Sequence, residues 1–418
     1  MIGLVDGNNF YVSCERVFDT SLEGKPVAVL SNNDGCVISR SQEVKKLGIT
    51  MGTPYFQLKP ILASSGIILK SSNYELYGDM SRRMISILAE FAPEVEQYSI
   101  DEAFITTELP NGADYYPLAT HIRKSILDWI GIPCGVGFAK TKTLAKIANH
   151  IAKKLDEGVF VMPADARTVL DSLPVGEVWG IGSKLVEKLA RVGIRTAQQL
   201  AEADTLSLQK RFSVTVARTG LELRGIPAVA DEHPEEPSQS VSCSRSFGYP
   251  VTEFSELEEA VSFYTASSAE KLRGEKQVAA GATVYFQYYP EYGSNSADGG
   301  FASTTLSFDP PTDDTSAMLH QLRPLLSGLF QKGRRYKKAG IVFFGLEPKM
   351  ASQLNLFSPA PEANTRSALY EAVDKINAAH GRGTVFTLSS GINRKWAMKR
   401  GLLSPRFTTD WHDIPLAK

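Results

Sequence analysis

The sequence predicts an α+β chain of several domains, and three observations carry that prediction. Strand and helix signals alternate over residues 1–165. Short helical patterns then fill Leu173–Leu223. Beyond a stretch rich in Pro and acid, the order becomes β-α-β-β-α-β, a split βαβ module. With 418 residues there is room for about two to four separate cores. The expected divisions are 1–165, a helical unit at 166–230, a linker at 231–240, a second α+β unit at 241–348 and a mixed tail at 349–418.

Taken in order, Ile2-Gly3-Leu4-Val5 reads as a strand ending in Asp6, and Pro26–Leu30 as a buried strand stopped by the turn-rich Ser31–Gly35. Tyr74–Phe91 is helical by the spacing of Leu76, Met80, Met84, Ile87 and Leu88, and Pro93 follows its end. Val95–Thr106 reads as a hairpin, Pro117–Ile130 as an amphipathic helix, Pro133–Phe138 as a strand and Thr143–Lys154 as a helix. Helices on one face of a largely antiparallel sheet would accommodate these elements. In the helical unit, Val178-Trp179-Gly180-Ile181-Gly182-Ser183-Lys184 places two glycines before a helix, where backbone N–H groups can meet a phosphate. In the last module, Val241–Phe247, Ala282–Tyr288, Thr304–Phe308 and Ala339–Phe344 read as strands, with helices from Ser255 to Arg273 and from Ser316 to Leu329. Ser255-Glu256-Leu257-Glu258 has capping-box spacing.

A hydrophobic fraction of 43% with 22% charged residues is ordinary for a globular protein, and no apolar run reaches membrane-spanning length. The first residues lack the basic start of a signal peptide. Cys14, Cys36, Cys134 and Cys243 are scattered, as reduced thiols of a cytoplasmic protein would be. A net charge of −1 excludes a uniformly basic nucleic-acid binder but hides segregation. Lys140, Lys142, Lys146, Lys153 and Lys154 crowd one segment, and Arg394–Arg400 puts four cations around Trp396. That basic segment reads equally as a solvated face or as a surface for DNA or a partner.

The chemistry centres on Tyr98-Ser99-Ile100-Asp101-Glu102-Ala103-Phe104. Adjacent carboxylates among apolar residues raise each other's pKa unless something neutralises them. Divalent cations do so, and a pair of them can clamp the oxygens of an in-line displacement at phosphorus. Asp6, Asp101 and Glu102 are therefore candidate ligands for metal and a nucleoside triphosphate. A solvated turn is the plain alternative for the acid pair alone.

Four runs in order carry a more specific signal: Leu30–Ile38, Ser71–Tyr77, Tyr98–Phe104 and Lys140–Lys146. Together they resemble the Y-family translesion DNA polymerases, and within them the UmuC subfamily, catalytic subunits of bacterial DNA polymerase V. The resemblance covers essentially the whole chain. It implies a right-hand polymerase with a ferredoxin-like palm, small fingers, a helix-hairpin-helix thumb and a β-α-β-β-α-β little finger. It also implies error-prone synthesis past damaged bases, within the SOS response, with two Mg2+ ions per site.

On that resemblance Asp6, Asp101 and Glu102 are catalytic and hold metal together with the Gly7 carbonyl. Phe10, Tyr11, Ser39, Lys45 and Lys153 contact the incoming nucleotide, Tyr11 as the gate against a ribose 2′-hydroxyl. Family members often carry Thr, Tyr and Arg where this chain has Ser39, Gln42 and Lys45. Lys45 is thus a point charge where a forked guanidinium is common. Gly180, Gly182, Lys184, Ser244 and Arg245 are the expected DNA contacts. Gln353-Leu354-Asn355-Leu356-Phe357 resembles a sliding-clamp-binding pentapeptide, with a buried strand as its alternative. Primer-template DNA, dNTPs, the clamp, a processed UmuD-like dimer and a RecA filament are the implied partners. Cytoplasmic localisation, with the active enzyme on the nucleoid, is implied as well. A catalytically dead DNA-binding scaffold is the competing reading. Such a homologue would have lost one of the three acids, and all three are present.

Overall fold

The strand Ile2–Gly7 is buried along almost its whole length, and the first half of the fold is arranged around it. The structure is a computed structural model that describes residues 1–110, 113–229, 237–290, 299–349 and 363–414. The chain divides into two units: Met1–His233 with Gly401–Lys418, and Pro234–Arg400.

The strands of the first unit are β1 (Ile2–Gly7), β2 (Val27–Leu30), β3 (Val37–Arg40), β4 (Ile68–Ser71), β5 (Glu94–Gln97), β6 (Glu102–Thr106), β7 (Cys134–Ala139) and β8 (Val159–Val161). One sheet runs β5-β6-β1-β7-β8 and a smaller one β3-β2-β4. Pairing in the larger sheet is antiparallel except at β7–β8.

Helices cover both faces of this sheet, which corrects the expectation of a single covered face. Val5, Ile105, Val136 and Phe138 share a core with Met80, Met84, Ile122 and Ile126 of the helices Tyr74–Leu88 and Tyr116–Ile130. On the opposite face, Leu4, Phe104 and Ala139 pack with Leu144, Ile147 and Ala148 of the helix Lys142–Ala152, and with Leu189 and Leu200 beyond it. The sequence carried the reason: Ile2-Gly3-Leu4-Val5 does not alternate, as strands buried on both sides do not.

The helix Lys142–Ala152 lies hard against the sheet. A Cβ on Gly137 would stand 2.2 Å from the Asn149 backbone nitrogen, so only glycine fits there. The buried Asn149 amide donates to the Leu4 carbonyl at 3.1 Å and the Gly135 carbonyl at 2.8 Å. This close approach brings the lysines of the segment over the end of β1.

The second unit has the predicted order: β9 (Ser240–Val251), helix Phe254–Gly274, β10 (Gln277–Tyr288), β11 (Gly300–Thr312), helix Thr315–Leu329 and β12 (Tyr336–Pro348). Its sheet runs β11-β10-β12-β9, all antiparallel. Val261, Tyr264, Phe286 and Phe343 form the core between sheet and helices, and Trp396 of the tail is buried in it. The basic run 394–400 is therefore built around a core indole. The capping box is not formed. The helix starts at Phe254, its N-cap is Glu253 with no side-chain bond, and Ser255 already lies inside the first turn. The tail divides, with residues up to Arg400 in the second unit and Gly401–Lys418 in the first. The 353–357 pentapeptide lies outside the described residues.

Candidate active site

Antiparallel register sets Asp6 of β1 directly opposite Glu102 of β6. The Gly7 N–H donates to the Asp101 carbonyl at 2.8 Å, which ties the end of β1 to the acid hairpin. Ser99 shapes that turn. Its hydroxyl donates to Asp101 Oδ1 at 2.6 Å and accepts from the Asp101 and Glu102 N–H groups at 3.3 and 3.1 Å. The three acids line one cavity of about 600 Å3 with Phe10, Tyr11, Ser39, Lys45 and Lys153. The structure thus gathers every acid and nucleotide contact expected in this unit into one place.

Lysines face the acids. Lys153 Nζ lies 2.5 Å from Asp6 Oδ2, and Lys146 Nζ lies 2.9 Å from Glu102 Oε2. Lys146 also stands over the Tyr98 ring at 4.1 Å and the Trp179 ring at 5.2 Å, so an aromatic cage fixes it. Burial pushes Asp6 up to about 7, against the pull of Lys153, and its hydrogen bond to Glu102 adds to the rise. Burial acts the same way on Glu102, but the bond from Asp6 and the Lys146 ammonium outweigh it and hold Glu102 below the usual carboxylate range. Of the two, Asp6 is the more readily protonated.

This donor set fits a divalent cation. It offers hard oxygens from two facing carboxylates and a third beside them, all lining one cavity. Among the described residues no three acids, histidines or cysteines are already closed into a ligand shell. A cation would replace the shared proton and the lysine contact.

The same cavity is also lined by Arg40, Lys45 and Lys153, cations that suit a polyphosphate. Arg40 donates through one guanidinium nitrogen to the Ile49 carbonyl, while its buried Nε has no partner. Partial desolvation, then Arg40 and Lys153, lower the pKa of Lys45. Arg40 and Lys146 were not singled out from the sequence as site residues. The spacing of Lys142, Lys146 and Lys153, which returns to one helical face, is the signal that points to Lys146.

The two aromatics have different surroundings. Phe10 is buried at 2% exposure and belongs to the core. Tyr11 is half-buried beside Asp101 in the cavity wall, stacked on Tyr77 with centroids 4.3 Å apart and planes 14° apart. Burial, then Tyr74 and Asp101, push the Tyr11 phenol up to about 12. Asn9, in the left-handed region at φ 48°, turns the chain from β1 into the helix Phe10–Phe18 that carries Tyr11.

Three segments match the impB/mucB/samB family: its main family model at residues 5–150, its helix-hairpin-helix motif at 163–194 and its C-terminal domain at 238–356. A domain of unknown function, DUF4113, matches 367–417. Protein UmuC of Salmonella typhimurium is 43% identical over 99% of both chains. The chain belongs to the UmuC branch of the Y-family translesion DNA polymerases. DNA polymerase IV of Bacillus velezensis is 26% identical over 91% of each chain. A solved Y-family DNA polymerase chimera, Dbh-Dpo4(243-245)-Dbh, shares the fold with a TM-score of 0.62, 23% identity and coverage of 85% of this chain and all of its own. The activity is that of an error-prone, DNA-directed DNA polymerase, and Y-family polymerases depend on metal. No helix among the described residues is long and apolar enough to cross a membrane.

The helix-hairpin-helix places Gly182 at the N-cap of the helix Ser183–Ala190 and Gly180 at φ 84°. A Cβ on either would meet nothing within 4 Å, so the hairpin backbone is open to a phosphate. In the β-α-β-β-α-β domain of this polymerase the two expected DNA residues part. Ser244 and Arg245 are neighbours in β9, opposite Gly340 and Ala339 of β12, and so point to opposite faces. The Arg245 guanidinium lies 5.4 Å over the Phe263 ring, on the helix-covered side. The structure does not bring the two onto one surface.

Proposed function

We propose that Asp6, Asp101, Glu102 and the Gly7 carbonyl hold two Mg2+ ions at the meeting point of primer 3′-hydroxyl and triphosphate. When bound, the ions would lower the pKa of that hydroxyl and neutralise charge on the transferring phosphoryl group. The observation that carries this reading is the register of Asp6 with Glu102 on a cavity also lined by Arg40, Lys45 and Lys153. Lys153, Lys45, Arg40 and Ser39 would hold the triphosphate oxygens. Lys146 keeps Glu102 ionised. The Tyr11 ring fills the space a ribose 2′-hydroxyl would need, which makes the enzyme select deoxyribonucleotides. Gly180, Gly182 and Lys184 would grip the DNA backbone, with Ser244 on the open sheet face.

The deciding experiment is primer extension on an abasic template with Mg2+ and dNTPs, wild type against Asp101→Ala. Loss of extension with DNA binding retained supports the assignment, and near wild-type extension by the variant overturns it.

The partners extend this proposal. Residues 353–357 would dock on a sliding clamp through Leu356 and Phe357, an apolar pair of the kind that forms binding hot spots. Leu356→Ala with Phe357→Ala should abolish clamp-stimulated synthesis and spare single-nucleotide insertion. Stimulation that survives both changes rejects the motif. A UmuD-like dimer and a RecA filament would activate the enzyme in the cytoplasm, on the nucleoid. Reconstitution with and without each protein tests them.

A further inference from the structure

The segment that returns to the first unit after Arg400 makes polar, fully buried contacts directly behind the Tyr11–Tyr77 stack. Tyr77 donates its hydroxyl to Glu15 Oε1 at 2.7 Å, and Ser404 donates to the same oxygen at 3.0 Å. The Asn73 amide donates to the Ser404 hydroxyl at 2.9 Å and to the Ser404 and Pro405 carbonyls at 3.2 and 3.1 Å. Asn73 is the N-cap of the helix Tyr74–Leu88, where its side-chain oxygen accepts from the Leu76 N–H. Glu15, Asn73, Tyr77 and Ser404 are at most 5% exposed.

The same strap grips both helices that meet at Tyr11. Phe407 stacks on Phe18, the last residue of the helix that begins Phe10-Tyr11, with centroids 4.9 Å apart and planes 7° apart. Upstream, the Leu402 N–H donates to the Ser71 hydroxyl at 2.9 Å and its carbonyl accepts from the Ser71 N–H at 3.0 Å.

A strap needed only for stability could be held by apolar contacts. Buried polar groups are costly unless every partner is present and oriented, so such a network fixes angles and distances. Here the oriented groups end on the ring against which Tyr11 lies.

We propose that Ser404 is a positioning residue for sugar selection: through Glu15 and Tyr77 it sets the plane of Tyr11, and the strap is part of the nucleotide site. The inference rests on the reading of Tyr11 as the gate against the 2′-hydroxyl.

The test uses the full chain in single-nucleotide insertion, comparing kcat/KM for a dNTP and the matching rNTP, with a thermal melt alongside. Tyr11→Ala is the control for the gate itself. Ser404→Ala should lower discrimination by roughly three- to tenfold, with the change mainly in KM, because one hydrogen bond to a buried carboxylate is lost. Ser404→Thr, which keeps the hydroxyl, should restore it. Tyr77→Phe keeps the ring and removes the donor. It should reproduce the loss, and the double variant should lose no more than either single one. If Tyr11→Ala abolishes discrimination while Ser404→Ala and Tyr77→Phe keep it within about twofold of wild type, the inference fails and the gate stands. If Tyr11→Ala itself changes nothing, the gate reading fails and the inference with it. A Ser404→Ala enzyme equally slowed on both sugars has lost only stability, which also overturns the proposal. Should Ser404→Ala fail to fold, Tyr77→Phe alone decides.

Discussion

Asp6 and Glu15 are buried carboxylates on the same short stretch of chain, and their surroundings differ in kind. Asp6 meets a lysine ammonium and a second carboxyl on the wall of a cavity. Glu15 meets two neutral hydroxyls inside the core. Burial raises the pKa of both. A carboxylate held by an exchangeable ammonium beside open space is prepared to trade partners. One held by hydroxyls in fixed positions is prepared to keep them. The first arrangement suits chemistry and the second suits positioning, although burial alone would not tell the two apart.

Neutralising Asp6 breaks the comparison most severely. Asp6→Asn should cost at least about a thousandfold in extension rate, since a charge that neutralises metal is gone. The melting temperature should hold or rise, because burial already holds this carboxyl above its ordinary pKa and the amide has no charge to bury. A matched pair of primer-extension and thermal-melt measurements checks both halves. Asp101→Ala should lose activity to a similar extent.

Lys153→Met comes next. Removing the Asp6 partner should lower extension by roughly ten- to a hundredfold, mostly through dNTP affinity, because one proposed triphosphate cation is lost. A kcat/KM series over dNTP concentration reads it. An unchanged KM would confine Lys153 to the ion pair.

Glu15→Gln sharpens the other side. Extension should fall by less than about tenfold, while stability drops by about 1–3 kcal/mol, because a neutral amide oxygen accepts the two hydroxyls that meet at Glu15 Oε1 more weakly than a carboxylate does, and its NH2 group has no acceptor there. Denaturant titration measures this.

The smallest effect is one of pH. The folded-state pKa of Glu15 lies above its ordinary value, so the folded chain holds that proton more tightly than the unfolded chain does. The contribution is complete below the ordinary glutamate value and is lost as pH rises through the raised one. Glu15→Gln should therefore flatten the decline of stability with pH across that window, seen in melts from mildly acid to neutral pH. A wild-type slope in the variant would show that Glu15 stays ionised throughout.

Much of the fold was legible because it rests on local signals. The strand ending in Asp6, the acid hairpin and the β-α-β-β-α-β order can be read from apolar spacing and turn residues. The acids of the site were legible because carboxylates in apolar runs call for an explanation. What stayed hidden depends on register or on distance along the chain. That Asp6 faces Glu102 follows from strand pairing, which no window of sequence contains. Lys146 was visible as one of several crowded lysines, but its choice of Glu102 is tertiary. The alternation that separates Ser244 from Arg245 was available in principle, since neighbours in a strand oppose each other. Ser404 stands 389 residues from Glu15, and nothing near either residue announces the other. The tail that read as mixed and basic turned out to supply a core indole to one unit and a hydroxyl to the other.

The return of the strap has a consequence for how the molecule is made. Chains emerge from the ribosome N-terminus first, and domains begin to fold as they emerge. Glu15, Tyr77 and Asn73 come out early, together with the catalytic acids, but Ser404 follows only after the whole of the second unit. Until then the network behind the gate is short of a member, whatever the state of the acids. A chain released at Arg400 would carry every proposed metal ligand and triphosphate contact, yet leave the Asn73 amide and the Glu15 carboxylate without Ser404. On the proposed role of Ser404, selective nucleotide incorporation becomes a property that translation confers late.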